Sequence, residues 1–181
     1  MSQFEEKQLE REEIYDGAVL HVVKDTILLP DGNTSIREFC LHKGAVAVIP
    51  ITENNEAILV RQFRYAHHRE FLEIPAGKFD FVGEEPLAAA ARELEEETGA
   101  KAEEYVSLGV LDTTPALIDE KIWMYMARGL TFGEMHPDED EFLSVEIIPL
   151  SDLIKMVMDG EIRDGKTQIA ILKAARILGI Q

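Results

Sequence analysis

The stretch Leu87 to Thr98, LAAAARELEEET, constrains this chain more than any other. Pro86 suits the first turn of a helix, and Gly99 suits its close. At about 100° per residue, Leu87, Ala90, Ala91, Leu94 and Thr98 fall on one side, which predicts a face laid on a core. Glu93, Glu96 and Glu97 gather on an adjacent side, because spacings of three and four bring side chains together. Each like-charge pair costs about a few tenths of a kcal/mol in an isolated helix. Water and salt offset that cost on a solvated face. A divalent cation offsets it on a functional one, and oxygen-only ligands suit Mg²⁺ or Mn²⁺. Arg92, one turn before Glu96, reads either as a surface pair or as a clamp orienting a ligand carboxylate.

Such a helix needs a layer to pack on, and the segments before it read as strands. Val19 to Val23 and Thr26 to Pro30 are short β-branched and apolar runs, and Ser35 to Leu41 resumes after the turn signal Asp31-Gly32. Gly44 to Ile51, GAVAVIPI, has the continuous apolar character of a buried strand. Ala57 to Arg64 follows the turn Glu53-Asn54-Asn55. Pro75 and Gly77 mark Glu73 to Gly77 as a loop. Val106 to Leu111, Lys121 to Ala127 and Leu143 to Ile148 read as further strands. Ser151 is expected to cap a helix to Met158, and Thr167 one to Leu178. This is a mixed α and β order without regular alternation, which disfavours a doubly wound parallel fold.

The 181 residues suit one domain, at most with a small appendage. Hydrophobic residues make up 46% of the chain, enough to fill a core, so wholesale disorder is excluded. The formal net charge of -17 disfavours binding to nucleic acid through phosphate neutralisation. The acids are not spread evenly. Gly77 to Glu104 holds nine acids and three bases, and Glu134 to Glu146 holds six acids and no base. The single cysteine, Cys40, excludes an internal disulfide and a cysteine-rich zinc site, and suits a reducing compartment. Met1 to Glu13 lacks the apolar stretch of a signal peptide, and no apolar run is long enough to span a bilayer. A soluble cytoplasmic protein with no membrane partner is the expectation.

Extending the helix in both directions sharpens its meaning. Glu84, seven residues, then Arg92-Glu93-Leu94-Glu95-Glu96-Glu97-Thr98-Gly99-Ala100 gives E-x7-R-E-L-x-E-E-x-G-A. This resembles the Nudix box, G-x5-E-x7-R-E-U-x-E-E-x-G-U with U apolar. Six fixed positions are met, which ordinary residue frequencies would produce roughly once in 10⁶ starting positions. Six residues rather than five separate Gly77 from Glu84, so the loop Lys78 to Gly83 is one residue longer than the family's, and Ala100 is a small choice for the last apolar position. The resemblance implies an α/β/α sandwich around a mixed sheet, preceded by a small N-terminal antiparallel sheet. It also implies hydrolysis of a nucleoside diphosphate linked to another group, with Mg²⁺ or a substitute such as Mn²⁺. By the same analogy Glu93 and Glu97 are metal ligands, Glu96 is a further ligand or partner to a metal-bound water, the carbonyl of Ala76 is a backbone ligand, and Arg92 orients the carboxylates.

From about Glu12 to Leu178 the chain is similar to the ADP-ribose pyrophosphatase branch. Val60-Arg61-Gln62-Phe63-Arg64-Tyr65, Glu73-Ile74-Pro75-Ala76-Gly77, Arg37-Glu38 and the proline Pro115, sixteen residues beyond Gly99, carry that similarity. The branch implies that Arg37 and Arg64 bind phosphate or the terminal portion of the substrate, for which a planar two-pronged guanidinium is apt. It places Glu120 near the distal ribose or a metal. It puts the glutamate that positions or deprotonates the attacking water in the loop of Asp138 to Glu141, where Glu139 and Glu141 fit equally. Tyr15, Phe63, Tyr65 and Phe71 are candidates to stack on the base, and His67 and His68 read as polar loop residues. The branch also implies a homodimer in which an N-terminal strand segment, 1–42, packs on the second subunit, with the catalytic domain over 43–181 and Arg37 serving the neighbour's site. The expected reaction is hydrolysis of ADP-ribose to AMP and ribose 5-phosphate. The alternatives are a pyrophosphatase for GDP-mannose or an ADP-hexose, and a non-catalytic nucleotide-binding regulator.

Overall fold

The computed structural model describes residues 2–81, 83–137 and 141–181. The chain divides into two compact units, Met1–Lys43 with Asp112–Lys121, and Gly44–Leu111 with Ile122–Gln181.

In the first unit, β1 (Lys7–Asp16), β2 (His21–Leu28) and β3 (Thr34–Leu41) form an antiparallel sheet in that order. Asp31 and Gly32 make the turn between β2 and β3, as expected; the Asn33 amide donates to Asp31 Oδ1 at 3.0 Å, and Gly32 takes φ +89°. The two apolar runs read as Val19 to Val23 and Thr26 to Pro30 are one strand, β2, because Lys24 and Asp25 stay within its ladder. Strand β1 went unread: its ten residues, KQLEREEIYD, are all exposed and lack an alternating apolar face. It is held instead by pairs across the ladder. Arg11 donates Nε and Nη2 to the two oxygens of the buried Asp25, each at 2.7 Å, and Lys24 reaches Glu12 at 2.7 Å. The segment Asp112–Lys121 belongs with this sheet through Cys40 N to Leu117 O (2.8 Å) and His42 N to Asp119 Oδ1 (2.7 Å).

The second unit is organised by β4 (Ala45–Pro50), which is wholly buried. It pairs antiparallel with β7 (Ala76–Lys78) and parallel with β9 (Lys121–Phe132), and β8 (Ala100–Asp112) lies beyond β9 in the same mixed sheet. A second sheet runs β10 (Leu143–Pro149), β5 (Glu56–Arg64), β6 (Arg69–Glu73), all antiparallel. Alternation along β4 separates two cores. Val46 and Val48 face Ala89, Ala90 and Leu94 of helix α1 (Pro86–Thr98). Ala45, Ala47 and Ile49 face Leu153 of α2 (Leu150–Met158) and Ala170, Ile171 and Ala174 of α3 (Gly165–Leu178). The unit is therefore an α/β/α sandwich around a mixed sheet.

Helix α1 starts with Pro86 inside its first turn and ends on Gly99 at φ +67°, as its sequence indicates. Its buried side is rotated from the expected one. Ala89, Ala90, Leu94 and Thr98 are buried, Leu87 is 46% exposed, and Glu93 and Glu97 turn inward. The caps of the other two helices also differ. Pro149 precedes α2 with no side-chain cap, so Ser151 lies inside the helix. Asp164 caps α3 and accepts the Thr167 amide at 2.9 Å, leaving Thr167 buried in the first turn. Among the described residues no helix is long and apolar enough to cross a membrane.

Candidate active site

Strand β7 and helix α1 approach each other closely, and that approach builds the site. Strand β7 hangs on β4 through the register Ala47↔Ala76 and Val46↔Gly77. The Ala76 amide donates to Glu97 Oε2 at 3.3 Å. A Cβ on Gly77 would stand 2.0 Å from Glu93 Oε1, so only glycine leaves room for that carboxylate. Glu93 and Glu97, one turn apart, are 9% and 3% exposed. Burial, against the pull of Arg92, pushes the Glu93 carboxyl up to about 7. Burial and then the negative charges of Glu93 and Glu141 push Glu97 up to about 8.

Arg92 is the cation that the helix itself supplies. Its Nη1 donates to Glu93 Oε1 at 2.8 Å and to Glu96 Oε2 at 2.9 Å, and its Nε lies 3.4 Å from Glu84 Oε1. Its Nη2 reaches the Lys78 carbonyl at 3.4 Å, so one guanidinium ties the carboxylate helix to the loop in front of it. That loop is also braced by Glu84, whose Oε2 accepts the Asp80 amide at 2.9 Å.

These residues fit a divalent cation. The donors are oxygens alone, and two of the carboxylates are buried at a cost that one guanidinium offsets only in part. Among the described residues no group of three or more His, Cys, Asp or Glu side chains is already gathered in ligating geometry. Glu96 is turned to Arg92 and is the most exposed of the three, so the inward pair Glu93 and Glu97 is the nucleus of the site.

The loop that follows β9 is latched to the far end of α1. Gly133 N donates to Gly99 O at 2.7 Å, and His136 N donates to Glu96 O at 2.9 Å. These two bonds tie the backbone over 133–136 to the helix that carries Glu93 and Glu97. The charge of Glu141 bears on both Glu93 and Glu97. Glu139 lies outside the described residues.

Arg64 has a partner that its sequence neighbourhood did not reveal. Its Nε and Nη2 each donate at 2.8 Å to the two oxygens of Glu73, which is 3% exposed. Lys166, at the start of α3, also bonds Glu73. Burial alone would raise the Glu73 carboxyl, but Arg64 and Lys166 together draw it down to about 2. The field of Arg64 and that of Lys166 both reach Glu97, so this trio stands on the Glu97 side of the unit. Glu73 opens the segment Glu73 to Gly77 that carries the branch similarity, but nothing in the sequence points it to Arg64, and Lys166 carries no motif signal.

The two remaining candidates belong to the other unit. Arg37 bonds Glu6 through Nε at 3.0 Å and the Ile36 carbonyl through Nη1 at 3.0 Å. Glu120 accepts from Thr113 Oγ1 at 2.8 Å and lies 3.6 Å from His42 Nδ1. Of the aromatic candidates, Tyr15, Phe63 and Tyr65 are exposed. Phe71 instead carries the Arg69 guanidinium over its ring at 4.1 Å.

Comparison with known proteins identifies the family. The NUDIX domain model matches residues 41–168. The ADP-ribose pyrophosphatase of Bacillus subtilis (strain 168) is 40% identical over 173 residues, covering 94% of this chain and 93% of that protein. The methanol dehydrogenase activator of Bacillus methanolicus is 42% identical over 170 residues, covering 93% and 91%. The crystal structure of an ADP compounds hydrolase superposes with a TM-score of 0.86 at 23% identity over 99% of this chain and 97% of that one, a likeness of fold. A helix that turns two glutamates inward against a glycine is thus the Nudix box in its fold, and the chain belongs to the Nudix hydrolase family.

Proposed function

We propose that this protein hydrolyses the diphosphate of ADP-ribose to AMP and ribose 5-phosphate. The observation that carries the reaction is the inward pair Glu93 and Glu97 beside Gly77. The substrate is supported by the 40% identity, over nearly the full length of both chains, to a protein named ADP-ribose pyrophosphatase. Nudix hydrolases use divalent metal ions, and Mg²⁺ is the ion proposed for this one. Glu93 and Glu97, with Glu96 and the Ala76 carbonyl, would hold it, and it would neutralise the diphosphate and make the attacking water more acidic.

The protein's own groups do the rest. Arg92 keeps Glu93 and Glu96 oriented through its two bonds from Nη1. Arg64 offers its guanidinium to the diphosphate or the terminal sugar, a role proposed for Arg37 as well, while Glu120 is proposed to stand near the distal ribose or a metal. Water attacks a phosphorus, the P–O–P bridge breaks, and the proton leaves the water for a carboxylate. One candidate for that carboxylate is Glu141, whose charge bears on Glu93 and Glu97. Glu139 is the other. The segment 1–42 is proposed to dimerise the chain and 43–181 to carry the catalysis. A cytoplasmic location belongs to the same reading, supported by the lone thiol of Cys40.

The test is turnover by the purified protein, with Mg²⁺, of ADP-ribose, ADP-glucose, GDP-mannose, NADH and dinucleoside polyphosphates. Preferred cleavage of ADP-ribose is the expected result. Cleavage of GDP-mannose alone would reject the substrate and keep the reaction. Activity that survived exhaustive chelation would reject the metal-dependent mechanism.

A further inference from the structure

The clamp on Arg64 has a component drawn from the other end of the chain. Arg64 and Glu73 lie diagonally on one face of the β5–β6 hairpin, with Val60 opposite Glu73 and Arg69 opposite Arg64. Glu73 takes one edge of the guanidinium, that of Nε and Nη2. No hydrogen bond from Nη1 is present among the described residues, and the Arg64 side chain is 43% exposed while Glu73 is buried. An arginine pinned on its inner edge and open on its outer one is preorganised to donate to an anion.

What holds Glu73 is the first turn of α3. Lys166 Nζ bonds Glu73 and also lies 3.1 Å from Asp164 Oδ2. Asp164 cannot swing away, because it caps the helix and accepts from the Thr167 amide (2.9 Å) and hydroxyl (2.6 Å). The Thr167 hydroxyl oxygen in turn accepts the Ile74 amide at 3.0 Å, next to Glu73 in the chain. Lys166 is itself only 12% exposed, so it is not a surface cation that finds a partner by chance.

We propose that Lys166 is a positioning residue for substrate binding: by sharing the Glu73 carboxylate it fixes the plane of Arg64 and keeps that arginine's outer edge available to the diphosphate. This rests on the assignment of Arg64 to the substrate. Without Lys166, the whole charge of Glu73 falls on Arg64, whose field towards an incoming anion is weakened and whose guanidinium is free to follow the carboxylate inward. Glu93, Glu97 and Glu141 are left in place. Lys166 is engaged with Glu73 and Asp164, so the chemical step should be little altered.

The experiment compares wild type with Lys166→Met and Lys166→Arg, using whichever nucleoside diphosphate compound the wild type cleaves, and with Lys166→Gln in place of Lys166→Met if that variant does not fold. The expected result is a KM raised about tenfold, the size of one weakened charge-assisted contact. kcat should stay within about threefold, and Lys166→Arg should restore KM because it keeps a cation on Glu73. Binding of ADP with Mg²⁺, followed by calorimetry, should weaken in parallel in the charge-removing variant and not in Lys166→Arg. An unchanged KM overturns the proposal. So does a fall in kcat with unchanged KM, or a loss that tracks the thermal midpoint and is not restored by arginine. If the wild type cleaves no compound of the panel, the proposed function fails, and the ADP measurement decides the positioning role: equal binding by wild type and variant, or none by wild type, overturns it.

Discussion

Two carboxylates that are nearly out of contact with water set the behaviour of the site at the scale of single residues. An ionised Glu97 at 3% exposure loses hydration that no neighbouring cation fully replaces. Glu97→Gln should therefore cost the metal-free protein little or no stability, since the amide oxygen can still accept the Ala76 amide. The same change should lower turnover by about 10²- to 10³-fold, the usual size of losing one electrostatic group of a catalytic site. Mg²⁺ at about a hundred times its dissociation constant should raise the stability of the wild type by about 2.7 kcal/mol and that of the variant by clearly less. Thermal melts with and without Mg²⁺, run beside a turnover assay, check all three. A variant that melts early and still turns over would contradict them. Arg92 gives a second test. Arg92→Lys keeps the charge but not the fork that serves Glu93, Glu96 and Glu84 together, so kcat should fall by at least about tenfold. A kcat within twofold of wild type would remove Arg92 from its orienting role.

Between elements, the contact of β7 with α1 and the clamp from β6 to α3 support the site from two sides. Gly77→Ala puts a methyl group where the Glu93 carboxylate sits, so Glu93 must turn away. The expected outcome is a loss of turnover of about 100-fold with the far-ultraviolet spectrum retained, because the strand is three residues long and carries little of the core. Retained turnover would mean that Glu93 is not needed in this position. The clamp is tested by acid. The Glu73 carboxyl is held at about 2 against an ordinary 4.5, so it adds stability above about pH 4.5 and loses it as pH falls towards 2. Glu73→Gln leaves Arg64 and Lys166 without their partner and should cost about 3–5 kcal/mol at pH 7. That gap should narrow by about 2 kcal/mol at pH 3, where the unfolded wild type has taken up its proton. Urea unfolding at the two values decides it, and an equal gap at both would reject the shift. These two supports differ in how legible they were. The α1 carboxylates were readable because their spacing of three and four is local and Pro86 and Gly99 mark both ends. The rotation that buries Glu93 and Glu97 was not readable, because four alanines offer nearly the same small surface on every side and β7 decides which side packs. The Glu73–Lys166 bond joins residues 93 apart, and β7 is only three residues directly after a proline, so neither leaves a periodic trace. Thr167 read as a cap because it is a threonine before an apolar run, yet Asp164 takes that place and frees its hydroxyl oxygen for Ile74.

At the scale of the whole chain, the net charge of -17 concentrates in two stretches of the sequence, Gly77 to Glu104 and Glu134 to Glu146, and the charge of Glu141, from the second, bears on Glu93 and Glu97 of the first. A molecule arranged this way should bind its anionic substrate only when cations are present. The N-terminal unit carries the opposite kind of surface. Every residue of β1 is exposed, and Leu9, Ile14, Val19, Leu20 and Ile36 are large apolar side chains open to solvent. A three-stranded sheet that leaves so much apolar surface uncovered is expected to meet another surface. The proposed occupant is a second copy of this chain, which is the arrangement implied by its similarity to the ADP-ribose pyrophosphatase branch. Leu9→Lys with Ile14→Lys changes only exposed side chains of β1, so each chain should fold as before, with its melting transition still cooperative. Sedimentation equilibrium at micromolar concentration should give the mass of two chains for wild type and of one for the double variant. If the N-terminal segment also completes the neighbour's site, the double variant should lose most of its turnover while keeping the Mg²⁺-dependent rise in melting temperature, because Glu93 and Glu97 sit in the other unit. A wild type that sediments as a single chain would reject the dimer. A monomeric variant with full turnover would keep the dimer and reject the shared site.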